Sequence, residues 1–378
     1  MRIRAAVLDR PGRPVGVEEV ELDGPNADEV LVRVAAAGVC HSDLHLADGA
    51  LGEGRWPMVL GHEGAGVVEA VGERVTHVAP GDRVAFSFVP SCGSCRHCRA
   101  GRRNLCEIAG RNAVRGTLMD GTSRLRRSDG TTLQHGLMTA CFAERTVVAA
   151  AGAVPIGADV PLWQASLLGC GVVTGVGAVR NAAGVRIGDS VCVVGCGGVG
   201  LQVVAAARLA GARRIVAVDR DSAKLEMALA RGATDGVEVS AGDAAATVRA
   251  LSDGGVDHAF EVVGRAETIR LAWDTLRPGG TVTVVGVAPI GVEVSLPAIE
   301  FLSEKTVQGC YYGTADVADQ LPRLAALVAA GRLPLTDVIS HITDLDGVEA
   351  ALERLRRGEG ARTVVVIDPA LAEPPPPG

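Results

Sequence analysis

One stretch of this chain, residues 38–69, combines side chains that bind metal ions and move protons. It contains the thiol of Cys40, the imidazole of His62 and the carboxylate of Glu63. Zinc prefers cysteine and histidine ligands, and a catalytic zinc site supplies three of them while one position stays open. Because Cys40 and His62 supply two ligands, the third must come from elsewhere in the chain. Cys170, in the sequence LGCGVVTG, is the candidate.

A second group of possible metal ligands consists of four closely spaced cysteines. Cys92, Cys95 and Cys98 are each separated by two residues, and Cys106 follows after seven more. Four thiolates complete the tetrahedral shell of zinc and leave no position for a substrate. The chain begins without a secretory signal, so the clustering indicates metal ligation rather than disulfides. The spacing therefore predicts a structural zinc site.

A glycine-rich motif lies between a predicted strand, SVCVV, and a predicted helix. The candidate cofactor-binding residues of this motif are Gly195, Gly197, Gly198, Val199 and Gly200. Glycines at these positions allow a tight turn, close approach of a pyrophosphate, and packing of the helix on the strand. Asp219, at the end of the next strand, would bond the ribose hydroxyls and favour NAD over NADP. The neighbouring Arg220 weakens this preference, because a guanidinium can accept a 2′-phosphate.

Composition limits the classes of protein to which this chain can belong. Its 378 residues suffice for two domains, and its 48% hydrophobic content suits a folded globular protein. A net charge of -7 argues against nucleic acid or an anionic membrane as the main partner. Two uncharged runs, 160–179 and 190–207, are interrupted by glycines and indicate buried interior rather than membrane spans. We expect a cytoplasmic protein.

The elements that must position these residues fall into two patterns. Residues 1–90 alternate short β-rich runs with glycine and proline turns, as in a β-rich domain. From Asp189, strands and helices alternate, which predicts a doubly wound parallel sheet of the α/β class. Residues 120–136, DGTSRLRRSDGTTLQHG, are typical of turns and surface.

With these motifs placed, the chain resembles the zinc-containing medium-chain alcohol dehydrogenases, in particular their class I and class III branches. The likeness covers about residues 5–368 and rests on GVCHSD, GHEGAGVVE, the four cysteines, LGCGVVTG, GCGGVG and the closing RTVVVID. It implies a GroES-like, β-rich catalytic domain made of residues 1–171 and 314–378. A Rossmann NAD-binding domain would occupy residues 172–313.

The resemblance also implies a role for each matching residue. Cys40, His62 and Cys170 match the catalytic zinc ligands, and Cys92, Cys95, Cys98 and Cys106 match the structural set. Asp43 matches the acid that orients the zinc-bound histidine, and Glu63 a carboxylate behind the zinc. Ser42 and His45 fit the relay that carries the alcohol proton to solvent. The remaining cofactor contacts would be His41, Lys224, Val287 and Arg362. The substrate pocket would be lined by Leu51, Trp56, Phe88 and Met138.

The implied activity is reversible hydride transfer between a primary alcohol, medium-chain or aromatic, and NAD, in a homodimer with two zinc ions per subunit. Three alternatives stay open. The first is a thiol-adduct formaldehyde dehydrogenase, although its hallmark arginine is replaced by Gly110, next to Arg111. The second is an enzyme that keeps its NAD permanently bound. The third is a non-catalytic sensor, which predicts a damaged metal site or relay.

Overall fold

The computed structural model describes residues 1–50 and 56–373. Contacts between residues divide the chain into two compact units. One contains Met1–Cys170 and the segment that begins at Asp316, and the other contains Gly171–Ala315.

The strands of the described residues, in chain order, are β1 Arg2–Leu8, β2 Gly16–Leu22, β3 Glu29–Val39, β4 Met58–Val59, β5 Glu63–Val71, β6 Arg83–Phe86, β7 Leu125–Arg126, β8 Thr132–His135, β9 Arg145–Ala149, β10 Ala153–Pro155, β11 Ser190–Val194, β12 Arg214–Asp219, β13 Asp235–Glu238, β14 Val256–Glu261, β15 Leu276–Val284, β16 Thr306–Gly309, β17 Ile339–Thr343 and β18 Arg362–Val366.

The α-helices of the same residues are α1 His41–Asp48, α2 Arg96–Arg99, α3 Glu107–Arg115, α4 Leu162–Leu167, α5 Val173–Gly177, α6 Gly198–Ala210, α7 Ser222–Ala230, α8 Ala244–Leu251, α9 Ala266–Asp274, α10 Val317–Ala329, α11 Val348–Arg356 and α12 Pro369–Ala372. Two π-helical turns, Leu168–Val172 and Ala178–Ala183, adjoin α4 and α5. The continuous helical segment Leu162–Ala183 is long and apolar enough to span a membrane. However, 83% of its most apolar 18-residue stretch is buried inside the protein.

The unit that contains residue 1 is built from β-strands. A closed barrel has the strand order β1-β2-β7-β8-β4, and a sheet has the order β10-β6-β5-β3-β18-β17, with β9 also paired to β3. Strand β3, EVLVRVAAAGV, is buried along nearly its whole length because it pairs with β5, β9 and β18. Its apolar sequence is typical of a strand that is covered on both faces. This central strand ends just before Cys40.

The unit formed by Gly171–Ala315 is a parallel sheet with the order β13-β12-β11-β14-β15-β16. The predicted α/β class and doubly wound sheet are thus confirmed. The order in which successive strands are added to the sheet changes direction between β11 and β14. The carboxyl ends of these two strands therefore flank the crevice where such sheets bind ligands. The glycine-rich motif follows β11 directly.

The prediction of turns and surface for residues 120–136 holds for the exposed turns but missed two strands. This stretch contributes β7 and β8, which pair with each other and close the barrel. Leu125, Leu133 and His135 are buried there. The many polar side chains hid the strands because two of the buried residues, Arg124 and His135, are themselves polar.

Candidate metal and cofactor sites

The predicted ligands Cys40, His62 and Cys170 come together in the β-rich unit. Their ligand atoms and a carboxylate oxygen of Glu63 all lie within 4.8 Å of one another, and the four residues are buried. Cys40 is the last residue before α1, and His62 is the last residue before β5. Because β5 pairs with β3, which leads into Cys40, the sheet register brings these two ligands together.

Asp43 lies behind the imidazole of His62. Its Oδ1 accepts from His62 Nδ1 at 3.0 Å and from the Gly61 N–H at 3.1 Å, while Oδ2 accepts from the Cys40 N–H at 3.2 Å. The carboxylate is fully buried. Since a carboxylate accepts only, it fixes the proton of His62 on Nδ1 and leaves Nε2 to face the thiols.

The ionisable groups of this cluster shift one another's pKa values. Burial opposes a charged imidazole, but the carboxylate of Asp43 and the sulfur of Cys40 outweigh it and raise the pKa of His62 to about 10. The neighbouring Cys170 thiol and the imidazole of His62 hold the pKa of Cys40 well below its usual range despite burial. The site therefore favours a thiolate at Cys40, which is the form that binds metal.

The cluster has the properties of a metal site. Within the described part of the chain, His62 Nε2 and Glu63 Oε1 are buried and have no hydrogen-bond partner. A buried polar atom without a partner costs about 1–3 kcal/mol, and a cation among two sulfurs and this nitrogen would remove the cost at His62. The donor set, two cysteines and one histidine, suits zinc and leaves one position open. We conclude that the residues fit a zinc ion.

Glu63 is paired with Arg362, a contact that sequence reasoning missed. Arg362 donates to Glu63 Oε2, and the two side chains are 6% and 0% exposed. Strand β3 lies between β5 and β18, which carry the two residues, so the pair closes over Gly38. A Cβ on Gly38 would come within 2.6 Å of the Glu63 carboxylate. The predicted cofactor contact of Arg362 stays a prediction; a guanidinium has donors for both the cofactor and Glu63.

Cys170 owes its position to a π-helical turn. The turn spans Leu168–Val172, directly after α4. A Cβ on Gly169 would lie 1.9 Å from the Phe86 carbonyl oxygen, so the helix backbone touches the end of β6. Single π-turns are frequent at functional sites. The glycine thus permits the close approach that brings the neighbouring thiol to Cys40.

The four remaining predicted ligands also converge. The sulfur atoms of Cys92, Cys95, Cys98 and Cys106 lie within 4.8 Å of one another. Backbone N–H groups point at them: Cys95 donates to the sulfur of Cys92 at 3.3 Å, and Cys92 to that of Cys106 at 3.3 Å. Burial opposes ionisation, but the N–H groups of Ser94 and Cys95 lower the pKa of Cys92 to about 6. Four sulfurs with N–H donors fit a closed zinc site.

The residues of the predicted proton relay share one helix. Ser42 and His45 lie on α1, and Ser42 Oγ is 4.0 Å from the sulfur of Cys40. Burial lowers the pKa of His45, so its ring is neutral at pH 7. His41, which is exposed, has its ring 6.2 Å from that of His45. The first turn of α1 therefore connects the metal cluster with solvent.

The glycine-rich turn has the predicted form. Gly195 has φ 97°, and a Cβ on Gly200 would lie 1.9 Å from the Gly195 carbonyl oxygen. Helix α6 begins at Gly198 and is capped by Gly197, where a Cβ would meet no atom within 4 Å. Open space before a helix N-terminus suits a phosphate group. The turn therefore fits a dinucleotide.

Asp219 lies beside this turn and accepts from the Cys196 N–H at 2.7 Å. Arg220 is exposed, Lys224 is half-buried, and the side chain of Val287 is 46% exposed. The acid and the glycine-rich turn are therefore in contact, as their positions at neighbouring strand ends require. The roles of Arg220, Lys224 and Val287 stay predictions.

Of the predicted substrate-lining residues, Leu51 lies outside the described residues. The Phe88 ring meets that of His62 edge-on, with centroids 5.1 Å apart. Met138 is buried, and Trp56 is half-buried against the core of the β-rich unit. The contact of Phe88 with a metal ligand brings an aromatic side chain to the cluster.

Comparisons with known proteins identify the family. The Alcohol dehydrogenase GroES-like domain matches residues 26–158, and the Zinc-binding dehydrogenase domain matches residues 198–330. An NDMA-dependent alcohol dehydrogenase from Amycolatopsis methanolica is 42% identical over 97% of this chain and 99% of its own length. The chain belongs to the zinc-containing medium-chain alcohol dehydrogenases.

Two further members of this family are informative. An S-(hydroxymethyl)glutathione dehydrogenase from Photobacterium damsela subsp. piscicida is 38% identical over 97% of this chain and all of its own length. The crystal structure of benzyl alcohol dehydrogenase from Acinetobacter calcoaceticus is 31% identical, with a TM-score of 0.92 over 97% of this chain and 99% of that one. The GroES-like and Rossmann-type domains predicted from the sequence are those of the alcohol dehydrogenase family.

Proposed function

We propose that this alcohol dehydrogenase holds two zinc ions and oxidises primary alcohols, aromatic ones included, to aldehydes with NAD. The observation that supports this most is the convergence of Cys40, His62 and Cys170 around a buried histidine nitrogen without a protein partner. Asp43 fixes the tautomer that such a ligand needs. The four-cysteine cluster would hold the second, structural ion.

The chemistry follows from the residues around the first cluster. A zinc ion held by Cys40, His62 and Cys170 would supply Lewis acidity toward the alcohol oxygen, and bound NAD would accept the hydride. Ser42 Oγ, near the sulfur of Cys40, receives the alcohol proton. His45, one helical turn further along α1, takes the proton at a ring nitrogen, because burial keeps its imidazole neutral. Glu63 and Arg362 balance each other's charge behind the ligands.

Two features support an apolar substrate and NAD. Phe88 and Met138 are apolar and buried, and the aromatic ring of Phe88 touches His62. The relative that acts on benzyl alcohol supports an aromatic substrate in particular. Asp219, beside the glycine-rich turn, would repel a 2′-phosphate and so favours NAD.

A second candidate is an enzyme that keeps its NAD bound and passes the hydride to an added acceptor. The 42% identity to an NDMA-dependent relative favours it. The thiol-adduct activity of the glutathione-linked relative is less favoured. The position of the arginine that marks that branch holds Gly110, which is exposed and has no atom within 4 Å of a Cβ built on it.

The test follows absorbance with the purified, zinc-loaded protein, as formation of NADH without NDMA and as consumption of NDMA when it is present. The alcohols are ethanol, hexanol, benzyl alcohol, a secondary alcohol and S-hydroxymethylglutathione, each with and without NDMA. We expect turnover of added NAD, fastest with benzyl alcohol or hexanol. Turnover only with NDMA would support bound NAD, which native mass spectrometry would then detect. A zinc-containing protein that is inactive in every arm would refute the proposal.

Two cysteine variants provide a matched control. Cys40→Ser should abolish turnover and release one of the two zinc ions while the fold is retained. Cys192, in the other unit, is also buried but belongs to neither cluster. Cys192→Ser should therefore keep both ions and the activity. Full activity in Cys40→Ser would exclude the zinc mechanism.

A further inference from the structure

The hydroxyl of Thr139 contacts the backbone next to His62. Thr139 is 1% exposed, and its Oγ1 donates to the Gly61 carbonyl oxygen at 2.8 Å. The N–H of Cys141 donates to the same oxygen at 3.0 Å. This carbonyl and the nitrogen of His62 belong to one planar peptide group. Two donors to the carbonyl oxygen therefore fix the orientation of the peptide plane that links Gly61 to His62.

Gly61 is held on its other side as well. Its N–H donates to Asp43 Oδ1, the atom that also accepts from His62 Nδ1. Gly61 has φ 94°, and a Cβ there would lie 2.5 Å from the nitrogen of Phe142. The segment 139–142 is thus in direct backbone contact with the residue that precedes the ligand.

The residues around Thr139 adopt an unfavourable backbone conformation. Leu137, Met138 and Ala140 have φ values of 45°, 64° and 50°. For residues other than glycine, this left-handed region costs about 1–2 kcal/mol each. Such strain persists where the surrounding contacts hold the backbone in place, and it is concentrated at functional sites. Here the strained turn delivers a hydroxyl to the backbone of a metal ligand.

We propose that Thr139 is a positioning residue for His62. The inference rests on the proposed function, in that His62 must be a ligand of the catalytic zinc ion. The Thr139 hydroxyl sets the orientation of the Gly61–His62 peptide, and Asp43 sets that of the ring. Together they aim Nε2 at the sulfurs of Cys40 and Cys170.

Thr139→Val removes the hydroxyl and keeps the branched shape. The Gly61 carbonyl retains the Cys141 N–H, so no buried acceptor loses its last partner and the fold should persist. Thr139→Ser restores a hydroxyl and is the rescue variant. The control is Thr275→Val in the other unit, since Thr275 is equally buried and its Oγ1 donates to the Ala272 carbonyl at 2.7 Å.

The probe is Co²⁺ loaded in place of zinc, because its visible absorption reports ligand geometry and its release to a chelator reports affinity. We expect Thr139→Val to release the Cys40-dependent Co²⁺ about tenfold faster, with a shifted spectrum. Thr139→Ser and Thr275→Val should behave like the wild type. Should the valine variant not fold, Thr139→Ala carries the same expectation.

Three outcomes would overturn the proposal. Wild-type spectrum and release rate in Thr139→Val would show that the hydroxyl does not act on His62. Equal acceleration in Thr139→Val and Thr275→Val would indicate general loosening of the protein. If the Co²⁺ spectrum of Cys40→Ser equals that of the wild type, the ion is not bound at this cluster. The proposed function then fails together with the role of Thr139.

Discussion

Replacing Gly38 by alanine tests whether the ion pair of Glu63 and Arg362 depends on the empty space above β3. An added Cβ would lie 2.6 Å from Glu63 Oε2, 2.9 Å from a methyl group of Leu167 and 3.0 Å from the Arg362 guanidinium. None of these atoms can move freely, because all three side chains are buried. The methyl group must therefore displace the pair or distort the strand.

The expected change in the free energy of unfolding follows from opposing effects. Alanine in a strand is favoured over glycine by about 0.5–1 kcal/mol. Overpacking a filled core costs about 1–3 kcal/mol, and separating a buried ion pair adds to this cost. We expect Gly38→Ala to lower the free energy of unfolding by about 1–3 kcal/mol. Gly16→Ala is the control, since Gly16 is also in a strand but exposed, with no atom within 4 Å of the added Cβ.

The assay is urea denaturation of the zinc-loaded protein, together with its metal content. Gly16→Ala should be neutral or slightly stabilising, so the two substitutions differ in sign. The double variant Gly38→Ala with Glu63→Asp removes one methylene group from the acid and should recover part of the loss. If Gly38→Ala is as stable as Gly16→Ala, the reasoning about the ion pair is wrong.

Three further predictions concern single residues. Asp43→Asn removes the charge that faces His62, so we expect zinc affinity at this cluster to fall about 10–100-fold; retained affinity in chelator competition would contradict this. Burial, with a nearby arginine, lowers the pKa of His135 from 6.5 to about 3. As the pH falls, the unfolded chain therefore binds a proton at this histidine before the folded chain does. The contribution of His135 to the free energy of unfolding is complete above pH 6.5 and is lost as the pH drops toward 3. Urea denaturation should show a loss of about 2 kcal/mol between pH 7 and pH 5 that His135→Gln abolishes; an equal loss in the variant would refute the assignment. Asp219→Ser, beside Arg220, should move the ratio of kcat/KM for NADP over NAD upward by about tenfold or more, and an unchanged ratio would exclude the acid as the selector.

The four-cysteine cluster could be foreseen because residue type and local spacing define it. Three members of the four-cysteine cluster lie within seven residues, so any compact loop brings their thiols together. The glycine-rich turn was equally predictable, since Gly195 and Gly200 meet local steric requirements and Gly197 leaves space for a phosphate. The pairing of Glu63 with Arg362 was not, because they are 299 positions apart in the sequence and only the order of β5, β3 and β18 makes them neighbours.

Charge misled the reading of residues 120–136 for a related reason. Arg124 is buried and makes two hydrogen bonds to Glu29, which lies 95 residues away and is also buried. A sequence shows the arginine but not its distant partner, so a buried pair resembles a solvated surface. The strands β7 and β8 were hidden in this way.

The π-helical turn at Cys170 has a consequence for comparing such chains. A helical residue advances by about 100° around the axis, and a π-turn accommodates one residue more than a regular α-turn. A related protein that kept this cysteine but lost one of the two residues between α4 and Cys170 would turn the thiol away from Cys40. Conservation of the cysteine alone is therefore no proof of a working metal centre in another sequence; the number of residues between α4 and the cysteine must be conserved too.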